Sequence, residues 1–309
     1  MPAITACICT HNRPDYLCDS LDGLTQQTVG PVGFRILVVD SGSPSVEATQ
    51  IRALVEDMGN ANLLSVDRPG LSVARNAARR VIADGYIAYL DDDAIPAPDW
   101  IGTIGQAVSS KVRLPVLLGG AMHPLSEAPL PHWWPARLRA MLSITEMSGQ
   151  GGYCRPGMAE TMEPVGANVI VNAAALHAAN VFSEAIGRTG RNLLSEEKKI
   201  FAWGLQDRGE TILYDSRILV YHQIQAERLL LRWLLARLYW QGLSRVRGGR
   251  ILGEHASLRR EAVRCAVVCW LFATFALLPA RVAWLIGPRS RLAHADGFLH
   301  AYVSCGTAR

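Results

Sequence analysis

The sequence is short of charge. Of its 309 residues 19% are Asp, Glu, Lys or Arg, against about 25% in an average domain, while 50% are apolar. That composition excludes a disordered or collagen-like chain, and the length allows a sizeable core in one large domain or two modest ones. No CxxC pair is present. Cys7, Cys9, Cys18, Cys154, Cys265, Cys269 and Cys305 are scattered, which speaks against a disulfide framework or a structural zinc site and for buried thiols in a reducing compartment. The N-terminus lacks the basic region and cleavage site of a signal peptide, so the expected location is cytoplasmic. Repeats and low-complexity tracts are absent. So are GxGxxG after the first strand and GxxxxGK[ST], which argues against a dinucleotide-dependent dehydrogenase and a P-loop NTPase. Finally, residues 225–309 lack lysine. They hold thirteen Arg and four acids (Glu227, Glu254, Glu261, Asp296), a balance of +9 that leaves −5 on residues 1–224. A cationic end on a mildly acidic body points to an anionic partner surface.

What is present is alternation. Apolar runs at Ala3–Cys9, Phe34–Val39, Asn62–Val66, Tyr86–Leu90 and Val116–Gly119 have the length of strands buried on both faces. Helix patterns lie between them: Pro14 to Gln26 with Asn12 as a cap, Val46–Met58, Leu71–Ala83 after Gly70, and Asp99–Ser110. This order predicts an α/β, Rossmann-like, mostly parallel sheet flanked by helices, with ligands beyond the carboxyl ends of the strands. From Pro124 to Pro164 the pattern breaks into a long loop with one short helix near Arg137–Leu142. It resumes with a strand at Gly166–Val171, helices at Ala173–Phe182 and Ser195–Asp207, and strands at Thr211–Tyr214 and Ile218–Tyr221. Beyond His222 the chain reads as helix.

Tyr-Leu-Asp91-Asp92-Asp93 ends an apolar run at the ligand-binding edge. Three adjacent carboxylates repel one another, and Mg²⁺ or Mn²⁺ bridging to substrate phosphates would relieve the repulsion; a solvated acidic turn is the alternative. Asp40 also closes a strand, where it could accept a hydrogen bond from a base or ribose or cap the following turn. Thr10, His11, Asn12 and Arg13 offer donors after the first strand. Arg75, in the third helix, could meet a diphosphate or pair with the Asp cluster.

In this order the pieces resemble family 2 glycosyltransferases of the bacterial type. The resemblance rests on Cys-Thr10-His-Asn12-Arg13-Pro, Val-Val-Asp40-Ser-Gly-Ser, Gly70-Leu-Ser-Val-Ala-Arg75-Asn76, Leu-Asp91-Asp92-Asp93-Ala-Ile-Pro-Ala-Pro-Asp-Trp100, Val-Gly166-Ala-Asn168, Leu-Leu-Ser-Glu196-Glu197 and Tyr-Asp-Ser-Arg-Ile-Leu-Val-Tyr-His222, and covers roughly residues 3–245. It implies an inverting, nucleotide-sugar-dependent enzyme with the GT-A fold, of hexosyltransferase type. Residues 1–121 would bind a nucleotide-sugar donor, a UDP-sugar by the resemblance. Residues 122–224 would bind a glycan, lipid or small-molecule acceptor, with Gly166, Asn168 and Trp203 on that side. Thr10, Asn12, Arg13 and Asp40 would contact the nucleoside and Arg75 the diphosphate. Asp91 and Asp92 would lie near ribose and bound water, while Asp93, with Asp91 and His222, would hold Mn²⁺ or Mg²⁺. In the family an acid pair after a Gly supplies the base. Here Ser195-Glu196-Glu197-Lys198 has no Gly, so Glu197 is the expected base and Glu196 its alternative. A metal-dependent nucleotidyltransferase and a catalytically degenerate membrane-bound partner are the competing readings.

Residues 225–309 form the expected basic helical extension. Its charge-free stretch at residues 265–280 would span about 24 Å as helix, short of a roughly 30 Å hydrocarbon core. An interfacial or re-entrant segment on anionic lipid at the inner face of the membrane is the expectation. An ordinary packed helix is the alternative. A nucleic-acid partner is not expected, because no nucleic-acid-binding fold is recognisable. The oligomeric state is not legible.

Overall fold

A computed structural model describes residues 2–30, 33–109, 114–152, 167–178, 182–190, 192–195, 197–275 and 286–304. The first ninety residues alternate as expected: β1 (Ile4–Thr10), α1 (Pro14–Thr25), β2 (Arg35–Ser41), α2 (Ser45–Glu56), β3 (Ala61–Val66), α3 (Leu71–Val81) and β4 (Tyr86–Asp91). Strand alternation splits the apolar runs between two cores. Ile4, Ala6, Ile8, Ile36, Val38 and Ala88 face α1 and α2; Cys7, Cys9, Leu37, Val39, Ile87 and Tyr89 face α3. Burying each large aliphatic side chain contributes about 1.5–3 kcal/mol, so the apolar runs themselves hold the sheet between its helices. β3 departs from expectation, being half-exposed, because it closes one edge of the sheet.

The second half is less regular: β5 (Ala94–Pro96), α4 (Trp100–Ser109), β6 (Leu117–Ser126), a 3-10 helix at Ala136–Leu142, β7 (Gln150–Gly152), β8 (Asn168–Asn172), α5 (Ala173–Ala178), α6 (Glu197–Asp207) and β9 (Ile212–Ile224). The strand order is β3-β2-β1-β4-β8-β6-β9-β5, with β7 also on β9. β8 runs antiparallel between β4 and β6, and β5 and β7 run antiparallel to β9. Two expected short strands are one, β9, bulged where Gly120 pairs with Asp215 and Ala121 with Leu219.

Asn168, expected on the acceptor side, fills that bulge instead. Its Nδ2 donates to the carbonyls of Ala121 (3.0 Å) and Ile218 (2.8 Å), and its Oδ1 accepts from Trp100 Nε1 (3.0 Å). It is fully buried. Gly120 makes the approach possible, since a Cβ there would stand 2.0 Å from the Ile218 carbonyl oxygen. The expected cap Asn12 is also displaced. It adopts φ 56°, its N–H donates to Ser43 Oγ, and α1 starts on Pro14 without a side-chain cap.

Three helices follow: α7 (Leu231–Ile251), α8 (His255–Phe275) and α9 (Ile286–Ser304). Leu229, Leu234 and Leu238 share an apolar cluster with Trp134, Leu142 and Ile144, which seats α7 on the body that carries the sheet. α7 and α9 cross backbone to backbone, for a Cβ on Gly242 would fall 2.2 Å from the His294 carbonyl and one on Gly297 1.9 Å from that of Tyr239. Among the described residues no helix is long and apolar enough to cross a membrane; residues 276–280 of the charge-free stretch lie outside them.

Candidate active site

The register brings the site together. Thr10 pairs with Asp40 and Cys9 with Asp91, so β1, β2 and β4 end at one edge. Ala94 of β5 lies opposite His222 of β9, which carries His222 to the acidic turn. The resulting cleft, about 190 Å³, is lined by Thr10, Arg13, Asp91, Asp92, Asp93 and Arg188, among others.

Each carboxylate in it has a cationic partner. Asp92 accepts from Arg13 Nη1 (2.7 Å) and Thr10 Oγ1 (3.0 Å). Asp93 accepts from Arg13 Nη1 (3.2 Å) and Arg228 Nη2 (3.0 Å), with His222 Nε2 3.4 Å away. Burial pushes Asp92 up to about 7, against the pull of Arg13. Burial acts the same way on Asp93, but His222, Arg228 and Arg13 outweigh it and hold that carboxyl well below the usual range.

Arg75 is the hinge of the arrangement. It is 1% exposed, donates from Nη1 to Glu197 Oε1 (2.9 Å) and from Nη2 to Asp91 Oδ1 (3.1 Å), and lies against the rings of Tyr89 and Phe182. The reading in which it pairs with the Asp cluster is therefore the observed one. A diphosphate contact does not fit so buried a guanidinium. Glu197 opens α6 and is itself 6% exposed; the segment before it is tied to α7, Ser195 receiving Arg237 Nη2 and donating to Gln241 Oε1 while its N–H reaches Ser244 Oγ. Sequence position alone hides both connections, which run between residues far apart in the chain.

Of the other expected residues, Thr10 and Arg13 face the acids. Asp40 is buried, and one of its oxygens takes the hydroxyl and N–H of Ser43, closing the turn after β2. Trp203 lies on α6 at 9% exposure. Gly166 and Glu196 fall outside the described residues. Two arginines were given no site role from sequence. Arg228 binds Asp93. Arg188 lines the cleft and has no ion-pair partner among the described residues; burial and the neighbouring Arg228 lower its pKa. A guanidinium left over in a cleft of paired acids is suited to an incoming anion.

Among the described residues no three metal-binding side chains converge. Asp93 and His222 do present an oxygen and a nitrogen to each other, and His222 Nδ1 is buried without a partner, so the ring is not explained by a local bond of that nitrogen. Mg²⁺ is typically held by one or two carboxylates plus substrate phosphates, and that donor set fits.

Comparison with known proteins matches this edge of the sheet. Residues 5–110 fit the model of the glycosyl transferase family 2. The chain carries a glycosyl transferase family 2 domain. Over 249 residues (78% of this chain, 76% of the relative) it is 22% identical to the glucosyl-dolichyl phosphate glucuronosyltransferase of Haloferax volcanii. Over 267 residues (84% and 78%) it is 27% identical to the succinoglycan biosynthesis protein ExoM of Rhizobium meliloti. Among solved structures, the mannosyltransferase PcManGT of Pyrobaculum calidifontis with GDP-Man and Mn²⁺ superposes with a TM-score of 0.61 at 14% identity, covering 100% of this chain and 88% of that one. S. aureus TarS 1–349 with UDP gives 0.53 at 15% identity, covering 99% and 92%. The transferase thus has the GT-A fold, and its matched segment ends beyond the acidic turn.

Proposed function

We propose that this glycosyltransferase is inverting, moves a sugar from a nucleoside diphosphate donor to a hydroxyl of a glycan, lipid or small molecule, and uses Glu197 as its base. The observation that carries the reading is the Glu197–Arg75–Asp91 bridge, which joins the candidate base to the acidic turn. Inverting transfer is one in-line displacement at the anomeric carbon, so a carboxylate must take the acceptor proton opposite the departing diphosphate. Glu197, at the start of α6, is the acid available for that proton. Thr10, Asn12 and Asp40 would hold the nucleoside, with uridine the preferred base, as UDP in the TarS complex suggests. Arg188 would meet the diphosphate, while Arg13 and Arg228 stay on Asp93.

Asp93 and His222, with Asp91 close by, would hold Mn²⁺ or Mg²⁺, which when bound neutralises charge growing on the leaving phosphate; Mn²⁺ in the mannosyltransferase complex supports this choice. The chain would work as a peripheral protein on the inner face of the cell membrane, its cationic end toward anionic lipid. A thermal-shift screen of UDP- and GDP-sugars with and without Mn²⁺ tests the donor reading, together with acceptor-free donor hydrolysis. A metal-dependent shift and EDTA-sensitive hydrolysis are expected. Hydrolysis indifferent to EDTA would overturn the metal assignment, and release of pyrophosphate would favour nucleotidyl transfer.

A further inference from the structure

A second cavity, about 700 Å³, lies between the 3-10 helix at Ala136–Leu142 and α7, α8 and α9. Four exposed arginines line it: Arg137, Arg260, Arg264 and Arg291. Among the described residues none of the four has a carboxylate partner. The one acid in the lining, Glu261, is already engaged by Arg245 Nε (3.2 Å) and stands 3.8 Å from His294, so it leaves the four charges uncompensated. Ser257 and His294 are the other polar lining residues, and Leu138, Leu238, Cys265, Val268 and Ala295 make up its apolar part. On its outer side α8 shows Val263 (66% exposed), Val267 (49%) and Trp270 (65%), spaced i, i+4, i+7 along one face.

We infer that this cavity is a holding site for the phosphate head group of an anionic lipid, its acyl chains running past Val268 toward the exposed stripe of α8. Four converging guanidinia need an anion that the chain does not supply, and guanidinium forks suit phosphate oxygens. A free anion would leave the apolar lining unused, whereas an amphiphile uses both, and an exposed Trp at the end of an apolar stripe suits a membrane interface. α7 separates this cavity from the active site: Leu238 lines the cavity while its neighbour Arg237 holds Ser195, two residues before Glu197. The inference deepens the membrane reading above and rests on it for the lipid's source, not for the anion site.

Two measurements on the full chain separate the parts. Cosedimentation with phosphatidylcholine vesicles containing about one-third phosphatidylglycerol reads membrane binding, each basic residue at such a surface being worth about fivefold. Thermal-shift titration with monomeric dihexanoyl phosphatidic acid reads the cavity. The Arg264→Ala/Arg291→Ala variant should weaken both by about 30-fold. Arg259→Ala/Arg289→Ala removes the same charge from the same two helices outside the lining, and should leave the soluble-lipid titration unchanged. Equal losses from the two variants in the soluble-lipid titration would overturn the cavity, because binding would then follow net charge alone. A shift with inorganic phosphate as large as that with the short-chain lipid would overturn the lipid assignment. Duplex DNA binding that the first variant abolishes, with no response to the short-chain lipid, would replace it with a nucleic-acid site. Absent vesicle binding beside an intact soluble-lipid titration supports the cavity and removes the membrane.

Discussion

The two cavities of this transferase are built from the same residue type and used in opposite ways. Around the acidic turn every carboxylate has a guanidinium: Asp91 and Glu197 share Arg75, Asp92 has Arg13, and Asp93 has Arg13 and Arg228. Between α7, α8 and α9 four guanidinia have no carboxylate partner among the described residues. The difference lies in burial. Charges in the first cleft are largely removed from water and tolerable only in pairs; those of the second remain at the surface, where solvent screens them and an unpaired guanidinium is cheap. A balanced cleft is preorganised and can exchange partners when a diphosphate and a cation enter together. An unbalanced one waits for an anion.

The largest effect should come from breaking the balanced side at its base. Glu197→Gln keeps an acceptor for Arg75, so the fold and donor binding should stand while the transfer rate falls by about 10²–10⁴. Single-turnover kinetics alongside a donor thermal shift will read this, and transfer at the native rate would remove Glu197 from the chemistry. Arg75→Met attacks the same bridge from the cationic side. It leaves a buried Glu197 unpaired, a loss of about 3–5 kcal/mol to be read by urea denaturation. Adding Glu197→Gln to that variant should recover part of the loss, since the stranded charge is then gone.

Gly242→Ala acts on the wall of the other cavity. Helix propensity alone would favour alanine by about 1 kcal/mol. The new Cβ, however, meets backbone on α9 at 2.2 and 2.5 Å, which no side-chain rotation relieves. A net destabilisation of about 1–3 kcal/mol is expected from such overpacking, visible as a lower Tm. An unchanged or raised Tm would mean that α7 and α9 separate freely, and the cavity between them would then have no fixed shape.

How much of this was legible depends on how local each feature is. Ile36–Val39 and Tyr86–Leu90 declare buried strands because continuous apolar runs have few other uses. β9 reads as two strands because Asp215-Ser216-Arg217 interrupts it, yet those polar residues form a bulge and an internal ion pair, with Arg217 Nη2 on Asp215 at 2.7 Å. β5 is invisible at three residues, one of them Pro96. The acidic turn was legible, its partners much less so: Arg75 reaches Glu197 across 122 positions, and Arg188 sits in a segment without periodicity. Asn168 shows the converse error. A polar residue in a functional-looking motif and a polar residue bracing a core bulge have the same letter, and only its three hydrogen bonds tell them apart.

Per pH unit, the smallest effect is the one that separates the two carboxyls of the turn. Asp92 has a raised value, about 7, so between its unfolded value near 4 and 7 the folded chain binds the extra proton, and stability falls as pH rises across that window. Asp93 is depressed; its contribution is present above about 4 and is lost only as pH falls below that value. The windows do not overlap. Asp92→Asn should therefore flatten the decline in stability from pH 4 to 7, by less than about 1.4 kcal/mol per pH unit for a single proton, and leave the acid limb below pH 4 in place. Urea midpoints of the ligand-free protein at closely spaced pH values will show it. If the variant instead loses the acid limb and keeps the decline, the proton belongs to Asp93, and the balance around the turn must be redrawn with Arg13 serving Asp92 alone.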